Sequence, residues 1–171
     1  SQELNDIYIP DEDPIVIERA EEEGVPLPSF DKLLEINKDV VGYIRINGTA
    51  INYPVVRGEN NDDYLAHDIY GNPNRSGTIM MDYRNDIRKN DKSDNYVVYG
   101  HNMRNGSMFR TLHNFEDEDF FNEHDEIIIY TPTRKLTYKI YGAFMYDDRH
   151  ILNSFDFSDD EVYAEWAPNE K

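Results

Sequence analysis

The sequence predicts a single, mostly β domain with helices at its N-terminus and in its long connections, closed into a barrel in preference to an open sheet. Three observations point there. Apolar residues recur with a period of two in paired runs from Val41 onward, with turn residues between the runs. Helical spacing is concentrated before Val41, in the long connections between strands and after Ser158. The chain has 171 residues, including 13 Tyr and 8 Phe, and no repeat or linker long enough to divide it. A fold of this size buries roughly 70% of the surface its unfolded chain exposes, which suffices for a core without disulfides.

The elements follow in order. Residues 1–13 are polar and acidic and read as a flexible lead-in to a domain spanning 14–171. Asp13 is placed to cap a helix with Pro14 at its first position, and Gly24 to end it. After Pro26 and Pro28, Ser29 is a cap for a second helix whose Phe30, Leu33 and Leu34 share one face. Val41–Ile46, a turn at Asn47 and Gly48, and Ile51–Val56 then read as a hairpin. Asp62–His67 is expected as a short helix, Thr78–Asp82 as a buried strand, and Tyr96–Tyr99 as a strand that delivers His101 at its end.

Further on, Met108–Leu112 and Asp117–Phe121 read as short surface helices. Ile127–Tyr130, a turn through Pro132 to Arg134, and Leu136–Tyr146 make a second hairpin, in which Leu136, Tyr138 and Ile140 alternate with polar residues. Ser158 with Glu161 is a capping box for a last amphipathic helix through Val162, Tyr163 and Trp166, with Pro168 as its stop.

Charge narrows the function classes. The chain carries 35 acidic and 17 basic side chains for a net charge of −18, which repels phosphate backbones and anionic lipid. Nucleic acid is therefore a poor partner. No apolar run approaches the roughly 20 residues that span a bilayer. Cysteine is absent, so disulfides and thiolate metal sites are excluded for this chain.

His101 is the residue best placed for chemistry, since the run Val97, Val98, Tyr99 ends at Gly100 beside it and imidazole titrates near neutral pH. His67, His113, His124 and His150 lie at scattered spacings that form no metal motif, and they read as surface residues. The acidic runs lack the ordered ligand spacing of a calcium loop. Neither a metal nor a cofactor is expected. Ser107 follows His101 by a few residues, but no activated-serine signature surrounds it.

Taken together, these residues resemble a class B sortase. The likeness runs through Val41–Ile46, Gly48 and Thr49, and the Asn-Tyr-Pro-Val core of Ile51–Val56. It continues through Asn61, Tyr64, Leu65 and His67, Gly77–Asp82 and Arg84, to the block Tyr99–Phe109, YGHNMRNGSMF. The resemblance implies a sortase-type closed β-barrel with N-terminal helices and a helix in the connection after the sixth strand. It also implies a cysteine transpeptidase of Gram-positive cell surfaces: a thiolate cleaves a sorting signal after threonine, and an amine of the cell wall or of a pilin resolves the thioester.

On this resemblance His101 is the catalytic acid and base, Tyr99 lines the pocket, and Asn61 and Leu65 contact the sorting peptide. The enzyme is expected at the extracellular face of the membrane, held by an N-terminal segment not present in this chain. The family's cysteine and arginine have no counterpart here, so the last two strands and the nucleophile are expected beyond Lys171 and this chain is expected to be inactive. An incomplete barrel would expose a strand edge, which favours strand exchange or an oligomer. The alternative is a non-catalytic sortase-like module that binds sorting signals without cutting them.

Overall fold

The computed structural model describes residues 10–89 and 95–143. The helix expected from Ser158 lies outside that range, as do His150 and the end of the run toward Tyr146.

Local chemistry builds the first helix as expected. In α1 (Pro14–Glu23) the Asp13 carboxylate accepts from the Ile15 N–H at 2.9 Å. The helix stops at Gly24, whose left-handed φ of 64° lets its N–H return to the Ala20 carbonyl.

The second helix, α2 (Pro28–Ile36), starts two residues earlier than the sequence suggests. Its cap is Leu27, extended at φ −56° and ψ 143°, because a proline ring disfavours helical geometry in the preceding residue. Ser29 therefore lies inside the first turn and caps nothing. The Leu27 N–H instead donates to the Pro132 carbonyl at 2.7 Å, tying the helix start to the sheet.

Among the described residues six strands follow: β1 (Val40–Arg45), β2 (Asn52–Val56), β3 (Met80–Met81), β4 (Val98–Tyr99), β5 (Glu126–Tyr130) and β6 (Lys135–Lys139). They form one curled sheet, a half-barrel, in the order β4-β3-β2-β1-β5-β6. Among the described residues, β4 and β6 are its two edges. The β2–β3 pair is parallel and the others are antiparallel, with a bulge in β1 between Val40 and Gly42.

Both faces of the sheet are covered. Val40, Tyr43, Val56, Met80, Ile128 and Tyr130 join Phe30 and Leu33 of α2 in one core. Their chain neighbours Val41, Ile44, Val55, Met81 and Ile129 point the other way, into a second core with Met108 and Phe115. That is why the central strands read as nearly continuous apolar runs.

Strand and helix lengths differ from the sequence reading at several points. β3 begins only at Met80, because the Thr78 N–H donates to the Tyr64 carbonyl at 3.0 Å and its hydroxyl to the His67 carbonyl at 2.9 Å. The helix expected at Asp62–His67 is a single 3-10 turn over Asp63–Leu65. That expected at Met108–Leu112 is a 3-10 helix over Arg110–Glu116. It runs into α3 (Glu118–Glu123), whose first turn is capped by the Asp117 carboxylate accepting from the Phe120 N–H at 2.8 Å.

Candidate active site

The end of β4 and the turn Asp63–Leu65 face each other across the edge of the sheet. Between them lies an open cleft of about 230 Å³, walled by Tyr64, Leu65, Thr78, Met80, Tyr99 and His101. Three of the four residues singled out in the sequence thus share one cavity. Asn61 does not line it.

His101 is held from two sides. Its carbonyl accepts from the Phe109 N–H at 2.9 Å, and an isolated bridge between Asn102 and Met108 closes the loop that follows. On the ring, Nε2 lies 2.8 Å from the Leu65 carbonyl oxygen. A carbonyl can only accept, so Nε2 carries a proton and Nδ1 is the nitrogen available for proton transfer. Nitrogen NMR of the imidazole should show neutral His101 as the Nε2–H tautomer; an Nδ1–H tautomer would contradict this geometry.

The Leu65 carbonyl is itself placed by Gly77. At φ 61° this residue turns so tightly under the 3-10 segment that a Cβ there would lie 2.5 Å from the Tyr64 oxygen and 2.6 Å from that of Leu65. The Leu65 side chain remains 43% exposed, so an apolar wall is open to a ligand.

The loop beyond His101 carries strain. Met108 adopts φ 57°, a left-handed conformation that costs a residue with a Cβ roughly 1–2 kcal/mol. Its side chain is buried in the second core, and its N–H donates to the Tyr53 hydroxyl at 2.9 Å. Together these contacts hold the loop in a conformation it would not adopt alone.

Both tyrosines of the cleft are anchored through their hydroxyls. Tyr64 donates to Asp39 at 2.7 Å and accepts from the Asn37 amide at 2.8 Å; burial, then the bond to Asp39, pushes its phenol up to about 12. Tyr99 donates to Asp82 at 2.9 Å, and burial followed by that bond raises its phenol well above the ordinary range.

Asn61 joins the site indirectly, through its own amide bond of 2.9 Å to the same Asp82 oxygen. Asp82 is the residue that sequence reasoning passed over as a member of the site. Its one signal was a carboxylate ending the apolar run Ile79, Met80, Met81, where burial demands partners.

The other candidates take different roles. Ser107 donates to the Asn105 side chain at 2.6 Å, so its proton is not directed at an imidazole. His67 and His124 contact carbonyls of their own segments, and His113 pairs with Glu116 at 2.9 Å. Among the described residues, no group of three or more His, Asp or Glu side chains is placed to hold a metal ion. Within the same range, no helix is long and apolar enough to cross a membrane.

This fold has known counterparts. The sortase domain family matches residues 44–166. Sortase B of Staphylococcus aureus (strain NCTC 8325 / PS 47) is 32% identical over 144 residues, which are 84% of this chain and 58% of that protein. The chain thus spans less than two thirds of that relative's length. A crystal structure of a mutant form of Clostridium perfringens sortase B superposes with a TM-score of 0.78 at 32% identity, over 99% of this chain and 76% of that one. The Staphylococcus aureus sortase B–substrate complex gives a TM-score of 0.73 at 30% identity, over 92% of this chain and 71% of that one.

Proposed function

Since the chain belongs to the sortase family, and within it to class B, we propose that it forms the peptide-binding and proton-transfer part of a cysteine transpeptidase acting at the outer face of a cell membrane. The observation that carries this reading is the placement of His101, its ring fixed by the Leu65 carbonyl, at a cleft that Leu65 and Tyr99 also wall.

The chemistry follows from the imidazole. A thiolate attacks the carbonyl carbon of threonine in a sorting signal, the C–N bond to the next residue breaks, and the leaving amine takes its proton from Nδ1 of the His101 imidazolium. An amine of the cell wall or of a pilin then attacks the thioester, the C–S bond breaks, and His101 removes the proton of the incoming amine. Leu65 offers an apolar wall to the peptide, Tyr99 the face of its ring, and Asn61 an amide.

The 171 residues contain no cysteine, so none of them can form the thioester. That observation also favours a second reading, a sortase-like module that binds sorting signals without cutting them. The coding sequence past Lys171 separates the two, because only the transpeptidase requires a cysteine there.

Both readings predict binding by this chain without turnover. Calorimetry with a peptide of the Asn-Pro-x-Thr type should show saturable binding, and mass spectrometry no cleavage. Leu65→Ala should weaken binding by roughly 10-fold, from the apolar area that a docked peptide covers. Robust cleavage by these 171 residues would overturn the assignment of roles, and absence of binding would overturn the function.

A further inference from the structure

Asp82 is fully buried, at 0% exposure, directly behind the cleft. A carboxylate in such a place must be matched by charge and by hydrogen bonds. Arg84 supplies both, donating from Nε to Oδ1 at 2.9 Å and from Nη2 to Oδ2 at 3.0 Å, while its backbone N–H reaches Oδ1 at 3.0 Å. The same Oδ2 accepts from Asn61 Nδ2 at 2.9 Å and from the Tyr99 hydroxyl at 2.9 Å.

The carboxamide of Asn61 can sit only one way round in this setting. Its Oδ1 accepts from the Tyr83 N–H at 2.9 Å, and its Nδ2 donates to the carboxylate. Reversal would set oxygen against oxygen and N–H against N–H. Nδ2 carries a second N–H, and among the described residues nothing accepts it.

We propose that Asp82 is a positioning residue for peptide recognition: through Oδ2 it sets the Asn61 amide and the Tyr99 ring in one fixed relation, so that Asn61 presents an N–H donor to a backbone carbonyl of the bound peptide. This rests on the peptide-binding reading above. It adds that Asn61 meets the peptide through its second N–H, the amide being held in one orientation by the Tyr83 N–H on its oxygen, and that Asn61 and Tyr99 act as one unit although no bond joins them directly. Burial first, and then the carboxylate held against its hydroxyl, raise the phenol of Tyr99.

The test compares the wild-type chain with Asp82→Asn, read first without peptide. With tyrosine labelled at the ring carbon bearing the hydroxyl, and Tyr99→Phe used to identify the Tyr99 signal, the phenol should titrate at lower pH in Asp82→Asn. The side-chain amide resonance of Asn61 should shift as well. Affinity for an Asn-Pro-x-Thr peptide should fall by roughly 10-fold. An unchanged titration and an unchanged Asn61 resonance would overturn the proposal.

If Asp82→Asn does not fold, a double-mutant cycle of Asn61→Ala and Tyr99→Phe on peptide affinity replaces it, with Asp82 left in place. Losses that are not multiplicative support a shared anchor, and independent losses overturn it. Failure of the wild-type chain to bind any threonine-containing peptide would overturn the functional reading alone, because the titration and the amide shift are measured without ligand.

Discussion

Replacing Gly77 with alanine is expected to destabilise the protein by about 2–4 kcal/mol and to release His101 from its acceptor. Two causes add. The residue sits at φ 61°, which disfavours any side chain with a Cβ. The new Cβ would also meet the Tyr64 and Leu65 carbonyl oxygens at 2.5 and 2.6 Å, and backbone atoms cannot rotate out of the way.

The Leu65 oxygen is the one that accepts from His101 Nε2, so relief of the collision moves the proton-transfer group. Chemical denaturation measures the first effect, and nitrogen NMR of the imidazole, through loss of its fixed tautomer, measures the second. Gly77→Asn separates the causes, because asparagine tolerates the left-handed region but carries the same Cβ. Equal damage from Ala and Asn identifies the collision as dominant. Normal stability together with an unaltered His101 spectrum in Gly77→Ala would show that this turn does not place the histidine.

Much of this arrangement was legible in the sequence because it is local. Asp13, Pro14 and Gly24 mark helix ends through bonds to residues a few positions away, and such bonds are visible in a pattern of neighbours. The position of His101 just past a strand was legible for a similar reason, since a strand followed by glycine is a short-range signal. The ends of β3 were not. They depend on Thr78 bonding to Tyr64 and His67, contacts set by the path of the whole loop.

Asp82 escaped for the same cause. Its bonds to Asn61 and Tyr99 span 21 and 17 residues, and the identity of its partners is settled only when the sheet has formed. For Asn61 the resemblance implied a direct contact with ligand, whereas the structure first commits its amide to that buried carboxylate. The two-sided burial of β1 and β5 also removed the alternation by which strands are usually read. In β6, an edge of the sheet among the described residues, the apolar positions do alternate in the sequence, but Leu136 is half-buried on the second core while Tyr138 on the same face is 40% exposed.

Neighbouring substitutions in α2 should have opposite outcomes. Phe30 is fully buried between the helix and the sheet, against the core that also receives Tyr64 and Tyr99 from the cleft. Phe30→Ala removes that apolar volume and leaves a cavity that the helix cannot fill, at about 3–5 kcal/mol. The melting temperature should fall by roughly 6–20 °C.

Ser29, one residue earlier, would cost about 0.5–2 kcal/mol on replacement by alanine if it capped the helix. It lies instead inside the first turn, its Oγ buried with no hydrogen-bond partner among the described residues. Ser29→Ala deletes an unsatisfied hydroxyl and introduces a better helix former, so the effect should be neutral or stabilising by up to about 1 kcal/mol. Thermal denaturation of the two variants beside the wild type decides the matter. A destabilised Ser29→Ala would restore serine as the cap, and a mild Phe30→Ala would mean that α2 does not support the face on which the cleft is built.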